Sequence, residues 1–166
     1  TPALLREILD SPGPVLGEAV QPPPGAGKLE RDPYDLPNSL ATENFVVRWG
    51  NSGGIDQVDL DNLSEAFEYA WSVQVDEMEH PMPLESDIYK FNVYVGDSGS
   101  GAPASYGAAG YFTLDPEGFP HVVIAPGSLV NHAWADTTAA HELYHAVQHS
   151  TGSYAYQDEA AWYWEA

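Results

Sequence analysis

The chain has 166 residues and no cysteine, and it carries 25 acidic against five basic side chains, for a formal net charge of -20 at pH 7. This length suits one domain with a substantial core, and the lack of cysteine excludes disulfides, thiolate metal ligands and cysteine nucleophiles. Because binding to phosphates needs Lys and Arg, we expect neither nucleic acid nor membrane among the partners. No apolar run is long enough to span a bilayer. The chain starts at Thr1 rather than Met, and we expect a secreted or extracytoplasmic protein.

Residues 1–43 form a lead-in with eight prolines, which remove amide donors and interrupt regular structure. Its first ten residues have the spacing of a short amphipathic helix. We interpret the lead-in as an extended segment draped over the domain or as a pro-segment, with a disordered tail as the alternative. The catalytic subdomain would then comprise residues 44–166.

Hydrophobic periodicity predicts the elements that follow. NFVVRWG (44–50) and IYKFNVYVG (88–96) have strand character. Between these two strands, the residues from about 59 to 78 are predicted to form a helix whose N-cap is Asp59 or Asp61. Apolar residues recur there at the three-and-four spacing of one helix face. They are Leu60, Leu63, Phe67, Ala70 and Trp71.

A glycine-rich loop (97–110) precedes YFTL (111–114) and HVVIA (121–125), which flank the turn-rich DPEGFP and predict a hairpin. Either segment of this hairpin region, 107–113 or 121–125, would offer an edge for an extended peptide. A long helix is predicted from about Asp136 or Thr137, and another helix begins after Thr151-Gly152. The order predicts an α+β fold, in which a small, mostly antiparallel sheet packs on two helices.

The last long helix contains HELYH, with His141 and His145 four residues apart and Glu142 directly after the first. On a helix the two imidazoles share one face and can ligate one zinc ion. Glu142 lies about a hundred degrees round the helix, where it can take a proton from a water activated by the metal. Short patterns of this kind also occur by chance. The helical context and the preceding hairpin favour the metal site over an ordinary His-rich helix.

Catalytic zinc commonly takes three protein ligands, and four residues downstream are candidates for the third: His149, Asp158, Glu159 and Glu165. Three successive turns of one straight helix cannot all reach one ion, so we interpret His149 as a polar helix-end residue. Asp158 and Glu159 suit the first turn of the next helix, where carboxylates favour the dipole. We favour Glu165, because a carboxylate among Trp and Tyr residues is costly unless paired or metal-bound.

Three further histidines, His80, His121 and His132, lie outside the motif. We expect each of them to be an ordinary surface or turn residue rather than a metal ligand.

The segment HELYHAVQHSTGSYAYQDEAAWYWEA resembles the active-site segment of thermolysin-like gluzincins. The shared features are the His-Glu-Leu-x-His-Ala-Val core, a Tyr-Gln pair before an acidic residue, and a final Glu-Ala. The resemblance implies a zincin-like fold and a zinc-dependent endopeptidase acting on peptides or proteins. It implies His141, His145 and Glu165 as zinc ligands and Glu142 as general base.

From about residue 40 onwards the chain is more similar to a bacterial family of secreted metalloprotease-like proteins, which shows strands like NFVVRWG and FNVYVGD and a W-x-x-E-A segment. Gluzincins place further functional residues after the glutamate ligand, whereas this chain ends at Ala166. We therefore expect a missing C-terminal part, or a separate C-terminal fragment that stays associated. A metal-stabilised module without activity and a zinc hydrolase with non-peptide substrates remain the alternatives.

Overall fold

A computed structural model describes residues 26–152. Its elements are β1 (Asn38–Ala41), β2 (Phe45–Trp49), α1 (Gln57–Trp71), β3 (Phe91–Val95), β4 (Gly110–Leu114), β5 (Pro120–Ile124), α2 (Pro126–Leu129) and α3 (His132–Ser150). A π-helical segment, Ser72–Glu77, continues α1. The helices predicted in the first ten residues and after Gly152 lie outside the described residues. Within 26–152, no helix is both long and apolar enough to cross a membrane.

The five strands form one sheet in the order β1-β2-β3-β5-β4. β2 and β3 are parallel, as are β3 and β5, whereas β1 with β2 and β4 with β5 are antiparallel. The fold is therefore α+β, as predicted, but the sheet is mixed rather than mostly antiparallel. The parallel pairing of β2 with β3 follows from α1, because parallel neighbours need a long crossover connection.

The predicted hairpin is confirmed, since β4 and β5 pair antiparallel from Gly110–Ile124 to Leu114–Pro120. β5 lies between β3 and β4, so it cannot offer the free edge that the sequence left open for residues 121–125. β4 is at the edge of the sheet. Strand β1 was not predicted, because it lies in the proline-rich lead-in; it pairs with β2 through Asn38 and Trp49, and so contributes to the sheet.

The predicted apolar face of α1 is confirmed, since all five of its residues are buried against the sheet and α3: Leu60, Leu63, Phe67, Ala70 and Trp71. Each large side chain buried in this way stabilises the fold by about 1.5–3 kcal/mol. The predicted caps are wrong, because the N-cap is Asp56. Asp59 instead accepts a hydrogen bond from His132 Nε2 at 2.8 Å, which joins the starts of α1 and α3.

α3 begins at His132, earlier than predicted, because the Asn131 side chain caps it by accepting a hydrogen bond from the Trp134 amide at 3.2 Å. Its core-facing residues are Ala135, Ala139, Leu143 and Ala146, all buried. This apolar stripe sets the rotation of the helix and thereby the direction of its remaining side chains.

Residues 26–37, here called the N-terminal strap, cross the sheet face opposite the helices. Leu29 forms a parallel bridge with Tyr89, and Leu36 packs with Tyr94 and Val123 of the sheet. Residues 26–37 of the lead-in are therefore extended and lie over the domain. A pro-segment role for residues 1–43 stays a prediction, and residues 1–25 lie outside the described residues.

His121 lies under this strap and is only 2% exposed, so the expectation of a surface or turn residue is wrong. Its ring packs edge-on against Tyr94 and Tyr34, with centroid distances of 5.2 and 5.8 Å. Burial lowers the pKa of His121 to about 4, because desolvation disfavours the imidazolium.

Gly110 of β4 lies close against α3. A Cβ at this position would lie 2.7 Å from Thr138 Cγ2, 2.9 Å from Ile124 Cδ1 and 3.3 Å from Glu142 Cγ. Only glycine lets the edge strand come this close to the helix without displacing it.

We predict that Gly110→Ala lowers the free energy of unfolding by about 1–3 kcal/mol, because the added methyl overpacks the strand–helix contact. Urea denaturation measures the change. Gly127→Ala is the matched control, since a Cβ there meets nothing within 4 Å. Equal stability of the two variants would show that the contact at Gly110 is not tight.

We predict that His121 makes the fold less stable in acid. Its folded pKa of about 4 lies below the ordinary value of 6.5, so the unfolded chain binds the proton first. Stability is then lost as pH falls from about 6.5 towards 4. In urea denaturation at a series of pH values, wild type should lose more stability over this window than His121→Leu does. If the stability of the two proteins changed with pH in parallel, the lowered pKa of His121 would be contradicted.

Candidate metal centre

The HELYH segment lies in the second half of α3, and its side chains point in different directions. Leu143 enters the core, whereas His141, Glu142 and His145 come together beside it. His145 and Glu142 are buried, with 3% and 7% exposure, and His141 is partly exposed. The three therefore form a shallow cluster that is open at His141 and enclosed at the other two residues.

The two imidazoles face each other through their Nε2 atoms, which are 3.0 Å apart. Their rings are nearly perpendicular, at 87°, with centroids 4.6 Å apart. Two nitrogens bound to one tetrahedral zinc at about 2.0–2.1 Å would lie about 3.3 Å from each other. The observed separation is close to that value, so the pair fits one ion with little movement.

A carboxylate oxygen of Glu142 completes the cluster, and the ligand atoms of the three residues all lie within 4.8 Å of one another. Its side chain packs beside Gly110 of β4, where a Cβ would lie 3.3 Å from Glu142 Cγ. The edge strand thus limits the positions that this carboxylate can take next to the imidazoles.

Two glutamines support the cluster, and neither of them was predicted from the sequence. Gln148 Oε1 lies 3.0 Å from His145 Nδ1. Gln74, in the π-helical segment, donates from Nε2 to the carbonyl of Ala140 at 2.8 Å, directly before His141. The i, i+3 spacing of His145 and Gln148 is a signal that would have indicated the first contact. Nothing local in the sequence indicates the second.

His149 lies one turn beyond His145, and its ring packs against Phe112 of β4 at 5.5 Å. Burial lowers its pKa. His80 packs against Tyr144 with ring centroids 5.8 Å apart, on the π-helix side of α3. Neither residue belongs to the cluster of His141, Glu142 and His145.

The predicted third ligand, Glu165, lies outside the described residues, as do its alternatives Asp158 and Glu159. Glu165 as a ligand therefore stays a prediction. Within 26–152, His141, Glu142 and His145 form a group of three side chains whose ligand atoms are close enough together to hold one metal ion.

A separate groove of about 420 Å³ lies between α1 and α3. Its walls include Glu65 and Tyr69 of α1 and Asp136 and Thr137 of α3, but none of the three cluster residues. The cluster of His141, Glu142 and His145 therefore lies on a different side of α3 from this groove.

No curated protein and no solved structure matches the chain. Residues 28–166, which are most of the chain and include the whole cluster, match a protein family described as a family of unknown function (DUF6055). The chain belongs to this family.

Proposed function

We propose that the protein is a zinc-dependent endopeptidase in which His141 and His145 bind the metal and Glu142 is the general base. The observation that carries the proposal is the pair of facing Nε2 atoms, 3.0 Å apart, with a buried carboxylate beside them. Five residues of one helix thus offer two ligands and a base.

The donor set supports zinc over other common metals. Imidazole nitrogens suit zinc, whereas calcium and magnesium prefer sites built from oxygen atoms. When bound, Zn²⁺ would lower the pKa of a coordinated water and polarise the substrate carbonyl. Glu165 is proposed as the third protein ligand, from the resemblance of the sequence to gluzincins.

The position of Glu142 supports its proposed role as general base. Its carboxylate lies near both imidazoles. The packing of its Cγ beside Gly110 limits how far the side chain can move away from them. We propose that it accepts a proton from the attacking water and passes this proton to the leaving amine. Being largely buried, the carboxylate would do so with little competition from bulk water.

The edge strand supports a peptide as the substrate. β4 runs beside α3, and among the described residues it pairs only with β5. As an edge strand among the described strands, β4 is where we propose that an extended substrate adds by strand pairing. Such a chain would pass the end of β4 where Gly110 lies beside Glu142. Secretion stays a prediction from the sequence.

We predict that Glu142→Gln lowers peptide hydrolysis by about 10²–10⁴-fold, because the amide cannot accept the proton. Zinc content should stay at the wild-type level, since both histidines remain. Cleavage of a fluorogenic peptide library, with and without a zinc chelator, measures the activity, and elemental analysis measures the metal. Glu65→Gln is the control, since Glu65 is an exposed acid of α1 outside the cluster.

The wild-type result separates the alternatives. Chelator-sensitive peptide cleavage supports the proposal. Zinc binding with no cleavage of peptides or esters would indicate a metal-stabilised module, and ester cleavage alone would indicate a different hydrolase. Undiminished peptide cleavage by Glu142→Gln would refute the assigned base.

A further inference from the structure

We propose that Gln148 is a positioning residue that holds His145 in the tautomer able to bind metal through Nε2. The inference rests on the proposed metal site, and it concerns a residue outside the HELYH motif. Gln148 would not touch substrate or metal, because its contact is with the far side of the His145 ring.

The direction of the hydrogen bond follows from the atoms involved. The Gln148 atom that lies 3.0 Å from His145 Nδ1 is the amide oxygen Oε1. A carbonyl oxygen accepts and cannot donate, so we infer that Nδ1 carries the proton and donates it to Oε1. A neutral imidazole has one N–H, and Nε2 of His145 is therefore unprotonated and can act as a ligand.

The proposed tautomer fits the contact between the two histidines. His145 Nε2 lies 3.0 Å from His141 Nε2. With the proton on Nδ1, Nε2 of His145 offers its lone pair on the side of the ring that faces His141, where the two imidazoles would share one metal ion.

The end of α3 holds Gln148 in place. Gln148 is half-buried in the last turn, three residues after His145 on the same helix face. Its backbone carbonyl accepts hydrogen bonds from the Thr151 amide at 3.1 Å and from Thr151 Oγ1 at 2.7 Å. The helix cap thus restrains the turn that carries the amide, which lowers the entropy lost when Gln148 orients His145.

Removing the acceptor should weaken metal binding without removing a ligand. In Gln148→Leu the His145 ring loses the partner that selects its tautomer, and loss of such partners typically costs 10–100-fold in metal affinity. Gln148→Glu keeps an oxygen that can only accept and should restore both the tautomer and the affinity. Gln57→Leu is the matched control, because its amide bonds only to Asp61 within α1 among the contacts described.

The test has two readouts on the full chain. Long-range ¹H–¹⁵N NMR of the metal-free protein, at about pH 8 where free histidine is neutral, reports which nitrogen of each ring is protonated. We expect Nδ1–H for His145 in wild type, Gln57→Leu and Gln148→Glu, and a shift towards Nε2–H in Gln148→Leu. Competition with a chromophoric chelator should give a zinc Kd about 10-fold higher for Gln148→Leu and no increase for the other two variants.

An Nε2–H tautomer of His145 in wild type would overturn the inference, as would an unchanged tautomer and Kd in Gln148→Leu. If Gln148→Leu fails to fold by circular dichroism, the wild-type tautomer and the Gln148→Glu variant decide the question. Failure of wild type to bind zinc would count against the proposed function. The tautomer in the metal-free protein would still decide the role of Gln148.

Discussion

The burial of one stripe of α3 is the constraint on which the candidate centre depends. Ala139, Leu143 and Ala146 are enclosed by α1 and the sheet, so the helix has only one rotation that keeps its apolar side chains from water. Helix geometry brings the His141 and His145 rings one turn apart, with their Nε2 atoms 3.0 Å from each other. The rotation set by the core decides which side of α3 carries this pair, and it places Glu142 beside Gly110 of β4.

The second constraint comes from the edge of the sheet. A glycine at the start of β4 allows the strand to lie against α3 beside Glu142, and further along the strand Phe112 packs on His149. The same strand lies at the edge of the sheet among the described strands. The edge proposed to bind the peptide and the packing of β4 on α3 therefore meet at the residue proposed as the base.

The elements with strong periodicity were predictable, and those that depend on distant partners were not. The apolar face of α1 and the β4–β5 hairpin follow from local spacing. The predicted cap of α1 is wrong, because the helix begins after Asp56. Asp59 instead bonds to His132, which is distant in the sequence. β1 was not predicted because it follows the prolines of the lead-in. The burial of His121 depends on the N-terminal strap and on Tyr94, which are distant in the sequence.

The candidate site shows the same division. The HELYH pattern places three residues together through helix geometry alone, so their proximity was predictable. The contacts of Gln74 with Ala140 and of Gly110 with Glu142 join elements separated in sequence, and no local pattern specifies them. The third ligand rests on the resemblance to gluzincins.

Anomalous scattering at the zinc edge, from crystals of the zinc-loaded protein, tests the central claim most directly. We expect one peak between His141 Nε2 and His145 Nε2, with bonds of about 2.0–2.1 Å, and a Glu165 oxygen within about 2.2 Å. No peak at the two histidines would contradict the metal centre. A peak there with Glu165 more than about 3 Å away would contradict the third ligand.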